Sequence, residues 1–80
     1  MKINATNNNH ATYVLCVKNR GYAASLETRK IYRVLSDARA LSRGMLRVID
    51  ESGEDYLFPV SFFVPIDVPK KATRLFVNYA

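Results

Sequence analysis

Apolar side chains along this chain come in short runs separated by polar turns, without the sustained three-to-four residue spacing of a long amphipathic helix. Residues 12–18 (TYVLCVK) are rich in β-formers and too few for a helix, which predicts a first strand. Asn19, Arg20 and Gly21 then supply turn chemistry. Residues 22–29 carry no clean period and read as a structured loop. Residues 30–35 (KIYRVL) predict a second strand; with Arg33 in water, Tyr32 and Val34 fall on the buried face by the two-residue period.

Residues 36–44 (SDARALSRG) offer Ser36 as an N-cap, an acidic Asp37 behind it and Gly44 at the stop position, so one or two helical turns are expected in this connection. Residues 45–50 predict a third strand and residues 56–58 a fourth. Residues 51–55 between them contain one glycine, which fits a hairpin loop of three to five residues. Pro59 is expected to end the fourth strand because it brings no amide hydrogen to a ladder. A tight turn follows, and then a last strand over residues 64–68, which Pro65 and Pro69 confine to a sheet edge. Five short strands and no long helix predict an all-β fold, a small five-stranded barrel with Tyr32, Val34, Leu46, Val48 and Phe58 in its core. Residues 1–10 read as a loose polar arm, residues 11–68 as the barrel and residues 69–80 as a basic amphipathic tail.

This order of pieces resembles an SH3-like barrel. The stretch RVIDESGEDYLFPVSFFVPI (residues 47–66) is similar to the C-terminal half of SH3 domains, and SLETRKIYRVL (residues 25–35) to the end of their first loop and second strand. GYAASLE, KIY and RVIDESGEDYLFP together resemble a group of small bacterial proteins that share this barrel and have no established role. The resemblance implies the fold and a bacterial or phage origin. It does not extend to the proline-rich peptide groove of signalling SH3 domains, which takes two tyrosines from the first strand and a tryptophan from the third. Here the first strand reads Val14, Leu15, Cys16, Val17 and Lys18, and the chain has no Trp. Pro59 and Phe62 alone fall on matching positions.

Charge changes this picture less than its total suggests. The net charge is +5, but residues 11–68 account for only +1 of it, and Lys2, Lys70, Lys71 and Arg74 supply the rest. Residues 18–43 hold seven basic and two acidic groups, whereas residues 47–67 hold one and five, which predicts one basic face on an otherwise balanced body. With Cys16 the single cysteine, no disulfide can form within the chain, and a reducing, cytoplasmic setting is expected. No apolar run approaches the roughly 18 residues of a membrane span, so no membrane insertion is expected.

The candidate chemistry is sparse. Asp50, Glu51, Glu54 and Asp55 do not follow the alternate spacing of a calcium loop, and turn formation explains them without a metal. His10 lies in the polar arm, away from Cys16, so neither a triad nor a metal cluster can be assembled. The expectation is a non-enzymatic binding or adaptor module without a cofactor, and a monomer. Two partner classes fit. A protein partner would use exposed aromatics, Tyr22, Tyr56 and Phe62, beside an open strand edge. A nucleic acid would use a basic face of Lys18, Arg20, Arg29, Lys30, Arg39 and Arg43. The tail has two readings: Leu75, Phe76 and Tyr79 share a helix face, while Leu75, Val77 and Tyr79 share a strand face.

Overall fold

A computed structural model describes residues 12–69, 71 and 72. The expected polar arm, with His10, and residues 73–80 of the tail lie outside the described residues. Five strands form: β1 (Thr12–Cys16), β2 (Ile31–Leu35), β3 (Met45–Ile49), β4 (Asp55–Pro59) and β5 (Phe63–Ile66). They make one antiparallel sheet in the order β4-β3-β2-β1-β5. Among the described residues the sheet is not closed, and β4 and β5 are its two edges.

The two-residue period places one side chain in two on the concave face. Val14 and Cys16 of β1, Tyr32 and Val34 of β2, Leu46 and Val48 of β3, Phe58 of β4 and Phe63 of β5 all join one buried cluster. The register explains why they meet, since Val14 lies opposite Tyr32, Val34 opposite Val48 and Leu46 opposite Phe58. All five core residues expected from the period belong to this cluster. Two further members come from outside the strands: Leu26, fully buried in the first loop, and Phe62 of the 3₁₀ turn Val60–Phe62.

Three local expectations are corrected. The helical turn, α1, spans Ala38–Ser42, and its N-cap is Asp37 rather than Ser36: the Asp37 carboxylate accepts the Ala40 N–H at 2.9 Å. Asp outcompetes Ser here because its second oxygen also accepts from Arg47, at 2.8 Å. The last strand begins one residue early, at Phe63, and ends at Ile66. Pro59 sits inside β4 instead of ending it. The ladder bond from Val60 N–H to Gly44 C=O, 2.9 Å, fixes the alternation, so the Pro59 nitrogen points at the free edge, where a missing hydrogen costs no ladder bond.

Arg33 lies on the face away from Tyr32 and Val34, as the period requires, but it is half-buried and its Nε makes no hydrogen bond. On the same face Tyr13, opposite Arg33, is 3% exposed.

Phe58 is fully buried and touches rings on both sides, so truncating it removes the centre of the cluster. Phe58→Ala is expected to cost about 3–5 kcal/mol, most of the stability of a chain this size. Tyr56→Ala, two positions earlier on the same strand but exposed, should cost below about 1 kcal/mol. Urea unfolding followed by circular dichroism measures both; similar costs at the two positions would refute this core.

Candidate functional site

The first loop is built as a lid over the open side of the sheet. Asn19 to Tyr22 form a turn closed by a bond from Tyr22 N–H to Asn19 C=O at 2.7 Å, with Gly21 at φ +83 in the third position, which a side chain would strain. The Ser25 and Leu26 N–H groups then both donate to the Tyr22 carbonyl at 2.9 Å, and Asn19 Nδ2 donates to the Leu26 carbonyl at 2.9 Å. These bonds drive Leu26 inward. The chain returns to β2 through Arg29, a non-glycine residue at φ 68, whose N–H donates to the Cys16 carbonyl at 2.7 Å.

Three aromatics expected to bind a partner converge here. Tyr22 packs edge-on against Phe58 (ring centroids 5.2 Å apart) and Phe62 (5.9 Å), while Tyr56 lies tilted on Phe58 at 5.4 Å. Their accessibilities differ sharply. Phe62 is buried, Tyr22 is half-buried, and Tyr56 is 59% exposed. Tyr56 lies on the same face of β4 as Phe58, on an edge strand that no further strand among the described residues covers. The result is a ledge whose top is Tyr56, whose side is Tyr22 and whose floor is Phe58. Phe62 is a packing group of that floor.

The four carboxylates of residues 50–55 do not converge; each has a different task. Asp50 is buried and accepts the Ser52 N–H (2.8 Å) and hydroxyl, shaping the turn. Residues 51–53 form the three-residue hairpin loop, closed by a bond from Asp50 N–H to Glu54 C=O at 3.0 Å, with Gly53 at φ 84 in the left-handed position such a loop needs. Glu51 turns back to the first loop, where it pairs with Lys30 at 2.7 Å and accepts the Tyr32 hydroxyl. That hydroxyl in turn accepts the Glu27 N–H at 2.8 Å, and the Glu51 N–H donates to the Ser25 carbonyl at 3.0 Å. Asp55 pairs with Arg47 at 2.8 Å, and Arg47 also holds Asp37. The Glu54 side chain is left in solvent. Among the described residues no group of three or more His, Cys, Asp or Glu is arranged to hold a metal.

The candidate basic residues divide between the two ends of β2. Lys30 is taken up by Glu51, with Glu27 at 4.0 Å. Lys18, Arg20 and Arg29 are exposed around the first loop, at one end of β2; Arg39 and Arg43 are exposed on and just after α1, at its other end. A five-residue strand separates the two groups by about 16 Å. Folding also places acids among bases that the sequence kept apart, through Lys30–Glu51 and Arg47–Asp37.

Cys16 is fully buried, and its thiol donates to the Lys18 carbonyl at 3.2 Å. Burial pushes its pKa up and keeps it protonated. No helix among the described residues is long and apolar enough to cross a membrane.

Compared with known proteins, the chain matches no family model, and neither a characterised protein nor a solved structure is significantly similar to it.

The Lys30 ammonium, followed by the Tyr32 hydroxyl, holds the Glu51 carboxyl below its ordinary range. Because its folded-state pKa is depressed, Glu51 contributes stability that is fully present above about pH 4.5 and is lost as pH falls through the folded value. Asp37, lowered first by the Ala40 N–H and then by Arg47, acts in the same direction. Tyr32 behaves oppositely: burial, then the Glu51 bond, raises its pKa, so its contribution is full below about pH 10 and fades at higher pH. Stability measured by urea unfolding should therefore fall on acidification below pH of about 4.5, and Glu51→Gln should flatten that fall. An unchanged acid limb in Glu51→Gln would show that the tie contributes nothing.

Proposed function

We propose that this protein is a small SH3-like barrel that acts as a non-enzymatic protein-interaction module, with the Tyr56–Tyr22 ledge as its contact surface. The fold reading is supported by the strand order, a meander from β1 to β4 followed by a 3₁₀ turn and a β5 that returns to pair with β1.

The observation that carries the functional reading is the exposure of Tyr56 on a floor of buried rings. A tyrosine that has shed its solvent on one side and is braced by Phe58 presents flat apolar area and a hydroxyl at low entropic cost, which is what interface anchors provide. Strand edge, ledge and first loop lie side by side. Nucleic acid is the weaker reading, because its phosphates would have to span two groups of cations with paired charges between them.

A photocrosslinking side chain installed at Tyr56, in the full-length protein in cells of its source, is expected to capture a discrete protein. The same group at Arg43, on the far end of β2, is expected to capture nothing in common with it. Capture of nucleic acid at either position, lost between about 50 and 200 mM salt, would replace this reading with the nucleic-acid one. Equal capture of the same protein at both positions would remove the ledge from the interface.

A further inference from the structure

The two edges of the sheet are chemically unequal, and the difference bears on what kind of chain the ledge takes. In an antiparallel ladder alternate residues direct their N–H and C=O at the neighbouring strand, and the residues between direct theirs away. Between β3 and β4 the alternation is fixed at both ends, by Asp50 N–H to Glu54 C=O (3.0 Å) and Val60 N–H to Gly44 C=O (2.9 Å). With Val48 opposite Tyr56 and Leu46 opposite Phe58, those two β4 residues bond to β3. Asp55, Leu57 and Pro59 therefore face outward; the Pro59 carbonyl opens the 3₁₀ turn, and the N–H and C=O groups of Asp55 and Leu57 are left on an edge that no strand covers among the described residues.

On β5 the same alternation, set by Val17 N–H to Phe62 C=O at 2.7 Å, turns Val64 and Ile66 toward β1 and Phe63 and Pro65 outward. The Phe63 N–H is spent on the Val60 carbonyl, and Pro65 has none. The β5 edge thus offers acceptors without a donor. The β4 edge offers both, beside Tyr56.

We propose that the free edge of β4 is a strand-addition site for an extended, basic segment of a partner protein. This rests on the reading of the Tyr56 ledge as an interface. Main-chain bonds to Asp55 and Leu57 would hold the segment in register, and an apolar side chain on its concave side would lie against Tyr56. Charge selects the partner. The exposed Glu54 stands unpaired at the start of the edge, and Arg47, beside Asp55, is shared with Asp37, so acids outnumber bases there; Glu51 in the adjoining loop is matched by Lys30. An incoming acidic strand would add to this local excess of negative charge; a basic one would offset it.

The test is amide NMR on the full chain with two hexapeptide probes, one alternating Lys and Val, the other Glu and Val. In the free protein the Asp55 and Leu57 amides should exchange rapidly with solvent while those of Tyr56 and Phe58 are protected. The Lys-Val peptide should shift Asp55 and Leu57 most and slow their exchange by at least about tenfold; the Glu-Val peptide should do neither. Leu57→Pro removes one outward donor and should abolish the slowing, with retained protection at Val48 and Phe58 showing that the sheet persists. Four results would overturn the proposal: Asp55 and Leu57 protected from the outset, equal responses to both peptides, no response to the Lys-Val peptide, or concentration-dependent protection without peptide, which would assign the edge to a second copy. If the partner captured at position 56 leaves these two amides unchanged, the ledge stands as an interface and strand addition falls.

Discussion

A sheet of five short strands cannot cover its own concave face, and the burial of Phe58 by groups outside the strands is the constraint on which the rest depends. Leu26 and Tyr22 reach it from the first loop, and Phe62 from the 3₁₀ turn. Without them the open side would expose a row of apolar side chains too wide for a solvated monomer. The long first loop is therefore a structural part of the core, and its turns exist to deliver Leu26. Each of its bends has a donor with a named acceptor, so the lid is held by main-chain bonds as well as by packing.

Polar groups drawn inward by that lid are satisfied locally. The Tyr32 ring belongs to the core, but its hydroxyl emerges where the first loop meets the hairpin, and it is met there by the Glu27 N–H and the Glu51 carboxylate. Leaving such a hydroxyl unpaired would cost about 1–3 kcal/mol, a large share of what a chain this size possesses. The Lys30–Glu51 pair around it is half exposed and contributes little by itself. Its value is geometric, since it ties the first loop to the hairpin.

What the sequence made legible follows from period and punctuation. Strand faces could be read because Tyr32, Val34 and Leu46 alternate with half-buried neighbours, and a register slip would turn all of them to the opposite face. Leu26 could not be read this way, because a single apolar residue in an aperiodic loop carries no pattern that separates a buried plug from a surface leucine. Arg29 gave no turn signal, since its left-handed backbone is imposed by the closing bond to Cys16 and not by its side chain. Charge pairing was hidden for a related reason: Lys30 meets Glu51 and Arg47 meets Asp37 only through long-range folding, which local counting cannot see. Tyr22, Tyr56 and Phe62 read in the sequence as exposed aromatics. Their convergence was invisible until the loop closed, and the closure also buried one of the three.

Prolines complete the logic of the edges. Pro59 and Pro65 both occupy outward-facing positions, where they cost their own ladders nothing and remove a donor from any chain that approaches. On β5 the removal is complete, because the adjoining Phe63 N–H is already engaged in the 3₁₀ turn. On β4 it is partial, and the two remaining donors lie beside carboxylates. A flat apolar edge would pair with any exposed strand, its own copies included. An edge that starts at the unpaired Glu54 is less open to such pairing, because charge on an edge strand opposes the approach of chains that carry the same sign. The carboxylate cluster of residues 50–55 thus serves the fold at Asp50, the loop tie at Glu51 and the character of the edge at Glu54 and Asp55.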